Sequence, residues 1–237
     1  MLNHDKPQPT LLAQLQQAPL DAWMRFERLS VLPGPWSIEA TDEDDWVYFP
    51  EDALIGLASP AAQSAAARMA VVGCQSCWMP SYWKSMPLQA HVLVGGTVQR
   101  TPWSAMQNEP HRHAPWLWHA AVASQRLIRQ MAQMAFCAQH HTLVQSLATW
   151  FLVCLHQAAR PELDLRWPDL MRWRDVPQAQ LLQALSTLEA RGALQWSGSD
   201  QGVVRIQAVP ELSLMACSCH VPVTTPRPAT ASSLAQN

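Results

Sequence analysis

The sequence predicts an α+β protein, and three features carry that prediction. Residues 31–104 hold short apolar runs separated by Pro, Gly, Asp and Ser, the pattern of several short strands. From about Pro115 to Ala138, apolar residues recur at helical spacing. Beyond Pro161, two helical units lead into a hairpin, the order of a winged helix.

Size and composition narrow the class. The chain has 237 residues, enough for one large domain or two small ones at ~100–200 residues each. Hydrophobic residues make up 49%, which excludes long intrinsic disorder. A net charge of −2 gives no whole-protein attraction to nucleic acid or acidic membrane, though it leaves room for a locally basic site. Residues 1–20 carry His4, Asp5 and Lys6 where a signal peptide needs an apolar run. Leu147–Leu155 is less than half the ~20 apolar residues that span a bilayer. Six cysteines in such a chain suggest reduced thiols. The expectation is a cytoplasmic protein with no membrane partner.

Along the chain, residues 1–20 read as a leader with a short helix around Leu11 to Leu15. Trp23, Phe26 and Leu29 suit a short helix over Asp21 to Leu29. Strands are expected at Trp46 to Phe49, Leu54 to Leu57, Met69 to Val72 and Ala90 to Val94, forming a sandwich or barrel. Trp116, Ala120, Ala123, Leu127, Met131, Met134 and Ala138 then follow at steps of 4, 3, 4, 4, 3 and 4. Such a seam either buries a helix against its own sheet or joins two subunits. Its narrowness and ~36 Å length favour the dimer. A second helix runs from Leu143 to His156, and Pro161 breaks it. Helical units at 168–174 and 177–190 come next, with Pro177 in the first turn and Gly192 as the C-terminal cap. Gln195-Trp196 and Val203 to Ile206 flank the turn of a hairpin. The Thr-, Pro-, Ala- and Ser-rich tail after Cys219 reads as disordered.

Four short runs add a resemblance. Val47-Tyr48-Phe49-Pro50, the segment Ala132 to His141, the set Leu147, Trp150 and Leu152, and Cys217-Ser218-Cys219-His220 occur in that order. They resemble the VYFP, AQxAxCNxxH, LxRWLL and CECY runs of one branch of the Crp/Fnr transcription regulators. Leu165, Leu170, Val176, Leu181, Ala184, Leu188 and Gly192 fit that branch's helix–turn–helix framework. The resemblance spans about residues 20–220. It implies a leader (1–20), a β-roll effector-like domain similar to cyclic-nucleotide-binding domains (21–113) and a dimerisation helix (114–140). A winged-helix DNA-binding-like domain (141–212) and a tail (213–237) complete the chain. Several departures fall on DNA-facing positions. Asp175 replaces the turn Gly, Pro177 and Gln178 replace the Arg pair, Arg166-Trp167-Pro168 replaces Thr-Gln-Glu, Leu182 replaces Thr and Thr149 replaces Arg.

Base readout normally uses Arg or Lys on guanine and Asn or Gln on adenine. Gln178, Gln180 and Gln183 are the candidate readers, and Arg166, Arg172, Arg174, Arg191 and Arg205 the candidate phosphate contacts. The segment Ser59 to Arg68 lacks the family's Gly-Glu and Arg-Ser pairs, so cyclic AMP is not expected and the effector is unidentified. Cys74 and Cys77 make only half of a zinc site. His111, His113, His140 and His141 read as surface or interface residues. No metal, cofactor or catalytic arrangement is expected. The resemblance implies double-stranded DNA with a palindromic site, a second copy of the chain and RNA polymerase as partners. The alternatives are a dimeric interaction module that no longer reads sequence, and a thiol or metal sensor built on Cys74 and Cys77.

Overall fold

A computed structural model describes residues 10–13, 26–36, 45–58, 68–80, 88–104, 110–173, 176–198, 202–207 and 210–224. Among the described residues, the N-terminal half has seven strands: β1 (Glu27–Val31), β2 (Gly34–Trp36), β3 (Trp46–Pro50), β4 (Leu54–Ala58), β5 (Arg68–Val72), β6 (Gln89–Val94) and β7 (Gly96–Pro102). They form two antiparallel sheets, β1-β7-β3 and β2-β6-β4-β5. The four runs expected as strands are β3, β4, β5 and β6, because their apolar residues have a core to enter. Tyr48, Ile55, Leu57, Val72, Val92 and Val98 are buried together.

The helix expected to end at Leu29 is overturned over its described part. Glu27 to Val31 is a strand paired with β7, from Glu27 opposite Arg100 to Val31 opposite Gly96. Here Leu29 and Val31 alternate with exposed Glu27, Arg28 and Ser30, and a period of two suits a sheet edge. Residues 21–25 lie outside the described part of the chain.

Helix α1 (Pro110–His140) is 31 residues long, about 46 Å at 1.5 Å per residue. It lies on β5, where Gln130 Oε1 accepts a hydrogen bond from Val71 N at 3.3 Å. Helix α2 (Leu143–Ala158) starts at a capping box, in which Thr142 caps the Gln145 backbone and Gln145 reaches back to Thr142. Its Leu147, Trp150, Phe151, Cys154 and Leu155 occupy the centre of the largest core cluster. That cluster takes in Leu54, Val71 and Leu93 from the strands, and Leu165, Leu181, Leu188 and Ile206 from the C-terminal half.

The C-terminal half opens with a strand absent from the sequence-based expectation, β8 (Glu162–Arg166), in which Leu163 and Leu165 face inward. Helices α3 (Trp167–Trp173) and α4 (Gln178–Ala190) follow, then β9 (Leu194–Trp196) and β10 (Val203–Gln207). The sheet order is β8-β10-β9. Pro177 is the residue just before α4 rather than inside its first turn, and its carbonyl accepts from Leu181 N at 3.1 Å. Gly192, at φ +71, closes α4, with Gly192 N donating to Glu189 O and Ala193 N to Leu188 O. The segment after Cys219 is also corrected as far as Thr224. Helix α5 (Pro210–Met215), a 3-10 turn (Ser218–His220) and α6 (Val221–Thr224) continue the fold. Buried Leu212, Cys217 and Cys219 anchor this segment, contacts that a composition reading does not see.

Candidate nucleic-acid interface and its setting

Helix α4 buries Leu181, Ala184, Leu185 and Leu188. That turns Gln180 and Gln183 outward, and Gln178 is exposed as the first residue of the helix, where a recognition helix carries its base contacts. Arg191 is exposed just past the end of α4. Two of the candidate phosphate ligands already hold carboxylates. Arg166 Nε donates to Asp169 Oδ2 at 2.6 Å. Arg205 grips Asp164 with Nε at 2.8 Å and Nη2 at 2.9 Å, because β10 sets it directly opposite Asp164 on β8. The hydrogen bond from Arg205 holds the Asp164 carboxyl below the usual carboxylate range. The side chain of Arg172 and the whole of Arg174 lie outside the described residues.

The winged helix is tied to the strand half. His91 Nε2, on β6, meets Asp169 Oδ1, on α3, at 2.8 Å, and both residues are buried. Nearby, Cys74 N donates to Gln157 O at 2.8 Å and Ser76 Oγ to Gln157 Oε1 at 3.1 Å. Gly73 allows that approach, since a Cβ there would run into the Gln157 carbonyl.

Helix α1 has two apolar faces. Ala123 and Leu127 of the expected seam are 2% and 7% exposed, packed on the chain's own strands. Ala120, Met131 and Met134 are half-buried against the same cores. Ala138 is exposed, and the Trp116 side chain lies outside the described residues. The open apolar line is shifted by about one residue. Leu117, Ile128 and Phe136 are 52%, 61% and 49% exposed, with Ala121 and Ala132 exposed between them.

Cys74 and Cys77 sit in the turn after β5, where burial pushes their thiols up to about 11 and about 12. Neither belongs to a group of converging ligands among the described residues. The group that does converge is Cys137, His141, Cys217 and Cys219, which sequence alone presents as family tail and surface histidine. Its only local signals are the Cys-x-x-x-His and Cys-x-Cys spacings; Cys219 and His141 stand 78 residues apart. Of the effector-like segment, residues 59–67 and the Arg68 side chain are outside the described part.

A sheet-built N-terminal half, a long connecting helix and a winged helix make up the architecture. The chain has the fold of the Crp/Fnr regulators. A Crp/Fnr-family transcriptional regulator from Thermus thermophilus superposes with a TM-score of 0.56 at 14% identity, over 80% of this chain and 97% of that one. FixK2 from Bradyrhizobium japonicum gives 0.54 at 14% identity, over 82% and 98%. The c-di-GMP-responsive global regulator CLP from Xanthomonas campestris gives 0.51 at 13% identity, over 79% and 96%. No protein-family model and no curated protein matches the sequence. Among the described residues, no helix is long and apolar enough to cross a membrane.

Proposed function

We propose that the chain is a dimeric, cytoplasmic, DNA-binding transcription regulator whose winged helix reads a palindromic site through an atypical, glutamine-bearing α4. The observation that carries this reading is the exposure of Gln178 at the start of α4 and of Gln180 and Gln183 on its open side, while Leu181, Ala184, Leu185 and Leu188 are buried in the core. Glutamine can pair with adenine through two hydrogen bonds. Arg191, together with Arg172 and Arg174, supplies phosphate contacts, and Arg166 and Arg205 add to them when their carboxylate partners release them. Two such units related by a two-fold axis would engage half-sites ~34 Å apart. A signal in the β-roll would reach α3 and α4 through α2, whose side chains belong to both halves of the core, and through the His91–Asp169 contact. In this reading the two copies meet along α1 on the line of Leu117, Ile128 and Phe136, and RNA polymerase is a further partner.

The engagement of Arg166 and Arg205 by Asp169 and Asp164 favours a second reading, an interaction module that keeps the fold and binds DNA only loosely. A Gln178→Ala, Gln183→Ala variant separates the two. Each lost adenine contact should cost about 1–3 kcal/mol of discrimination, so specific binding falls at least about tenfold while low-salt, non-specific retention is unchanged. Equal binding by the variant and the wild type would overturn the reading of α4 as the sequence reader.

A further inference from the structure

We propose that Cys137, His141, Cys217 and Cys219 form a closed four-ligand site for a single zinc-type divalent ion, pinned at the hinge between α1 and α2. This site goes beyond the regulator reading and stands whether or not the chain binds DNA.

Placement comes first. Cys137 lies in the last turn of α1 and His141 just past its end, four residues on, so both side chains leave the same face. Cys217 precedes the 3-10 turn and Cys219 is inside it, and the chain folds this segment back against α1 and α2. The four ligand atoms all lie within 4.8 Å of one another. Cys137 Sγ and Cys217 Sγ are 3.4 Å apart, and Cys219 Sγ and His141 Nε2 are 3.3 Å apart. Zn–S bonds of ~2.3 Å and a Zn–N bond of ~2.0 Å at tetrahedral angles give edges of about 3.8 and 3.5 Å. Small side-chain adjustments therefore suffice to seat one ion. The space is too small for a cluster of several metal atoms.

The chemistry of the donors points the same way. Three sulfurs and one imidazole are a preferred set for structural zinc. Cys137, Cys217 and Cys219 are 0%, 6% and 7% exposed, and they make a cluster of their own in which Met134 is the packed hydrophobic neighbour. Apolar packing alone would be served better by larger aliphatic side chains. A supporting contact is also in place. Thr149 Oγ1 accepts from Cys217 N at 3.1 Å, which leaves its hydroxyl hydrogen to donate to Cys217 Sγ at 2.9 Å. A hydroxyl donor on a sulfur stabilises a metal-bound thiolate. His220 Nδ1 meets the Cys217 carbonyl at 2.7 Å and fixes the turn.

On binding, three S–H bonds are replaced by three Zn–S bonds and one Zn–N bond forms, with the thiol protons released to solvent. Four protein ligands leave no open position for water or substrate, so the ion has a structural role. It would clamp the segment after α5 to the junction at His141 and Thr142, and so set the angle at which α2 leaves α1.

The test uses the full chain purified in reductant without chelator. Metal analysis should find about one zinc per chain. Cobalt added to the metal-free protein should give a thiolate-to-cobalt charge-transfer band with the ligand-field bands of a tetrahedral site. Cys74→Ser combined with Cys77→Ser should leave both signals intact, and Cys219→Ser should abolish stoichiometric zinc. If Cys219→Ser does not fold, Thr149→Val serves instead, with an expected ~10–100-fold loss of zinc affinity. Folded, reduced wild type with under about 0.1 zinc per chain and no tetrahedral cobalt spectrum overturns the site. So does zinc retained by a folded Cys219→Ser variant, unchanged zinc affinity in Thr149→Val, or a Cys137–Cys217 disulfide in protein prepared under reductant.

Discussion

Breaking the contact between β6 and α3 tests how firmly the winged helix is held to the strand half. Asp169 is 4% exposed and accepts from His91 Nε2 at 2.8 Å and from Arg166 Nε at 2.6 Å. Asp169→Ala strands His91, which is itself only 9% exposed. A hydrogen bond to a charged group contributes about 1.5–3 kcal/mol, and an orphaned buried group adds to the loss. The Arg166 side chain is 48% exposed, so water replaces Asp169 there and that half of the loss stays below about 1 kcal/mol. The expected destabilisation is therefore about 2–4 kcal/mol. His91→Ala leaves Asp169 with Arg166 and should cost about 1–3 kcal/mol. The double variant should lie close to Asp169→Ala alone, a coupling of at least about 1 kcal/mol. Urea unfolding followed by far-UV circular dichroism and by tryptophan fluorescence measures all four species. Additivity within about 0.5 kcal/mol would refute the claim that the pair acts as a unit.

Further outcomes follow from the same geometry. Ile128→Glu should weaken the proposed dimer by at least about tenfold in sedimentation equilibrium with the protomer still folded, whereas Leu127→Glu should unfold the protomer by placing a charge in the strand core. If Leu127→Glu instead gives a folded monomer, the sequence-derived seam is the interface and the shifted line is wrong. Gly73→Ala forces a Cβ into the Gln157 carbonyl and should cost about 3 kcal/mol or more in the same unfolding assay; a neutral result would mean that the turn is not seated there. Because Arg205 holds the Asp164 carboxyl low, the pair persists through neutral pH and is lost only as pH falls through that depressed value. Carboxyl NMR titration of Arg205→Ala should show the Asp164 midpoint moving up, and no movement would contradict the assignment. Asp164→Asn should free Arg205 and steepen the salt dependence of DNA binding by about one unit per subunit. An unchanged slope would remove Arg205 from the phosphate contacts.

The strand core and the winged helix are legible wherever an apolar pattern meets a clear break, as at β3, β4 and α4. They are illegible where polar alternation resembles loop or helix. Leu163 and Leu165 in β8 alternate with Glu162, Asp164 and Arg166 over only five residues, too short a run to separate from a connection after Pro161. The α1 seam shows a different limit. Its heptad-like spacing marks an apolar face correctly, but spacing alone does not say whether a sheet or a second helix covers it. Here Ala123 and Leu127 pack on the chain's own strands. At the candidate interface, the identity of the glutamines is readable. The capture of Arg166 and Arg205 is not, since it depends on the helical turn that brings in Asp169 and on the register of β10 with β8. The converging cysteines and histidine are hidden for the same reason, with their two halves meeting only once the chain returns from α5.

Whether α4 reads a DNA sequence, as proposed, is open to direct measurement. The most direct test is a titration of the purified chain against pooled genomic fragments at low and moderate salt, with sequencing of what is retained. The expected result is enrichment of a palindrome whose half-site centres lie about one helical turn, or a multiple of it, apart, persisting at moderate salt. Retention only at low salt, with no enriched sequence, would contradict the proposal.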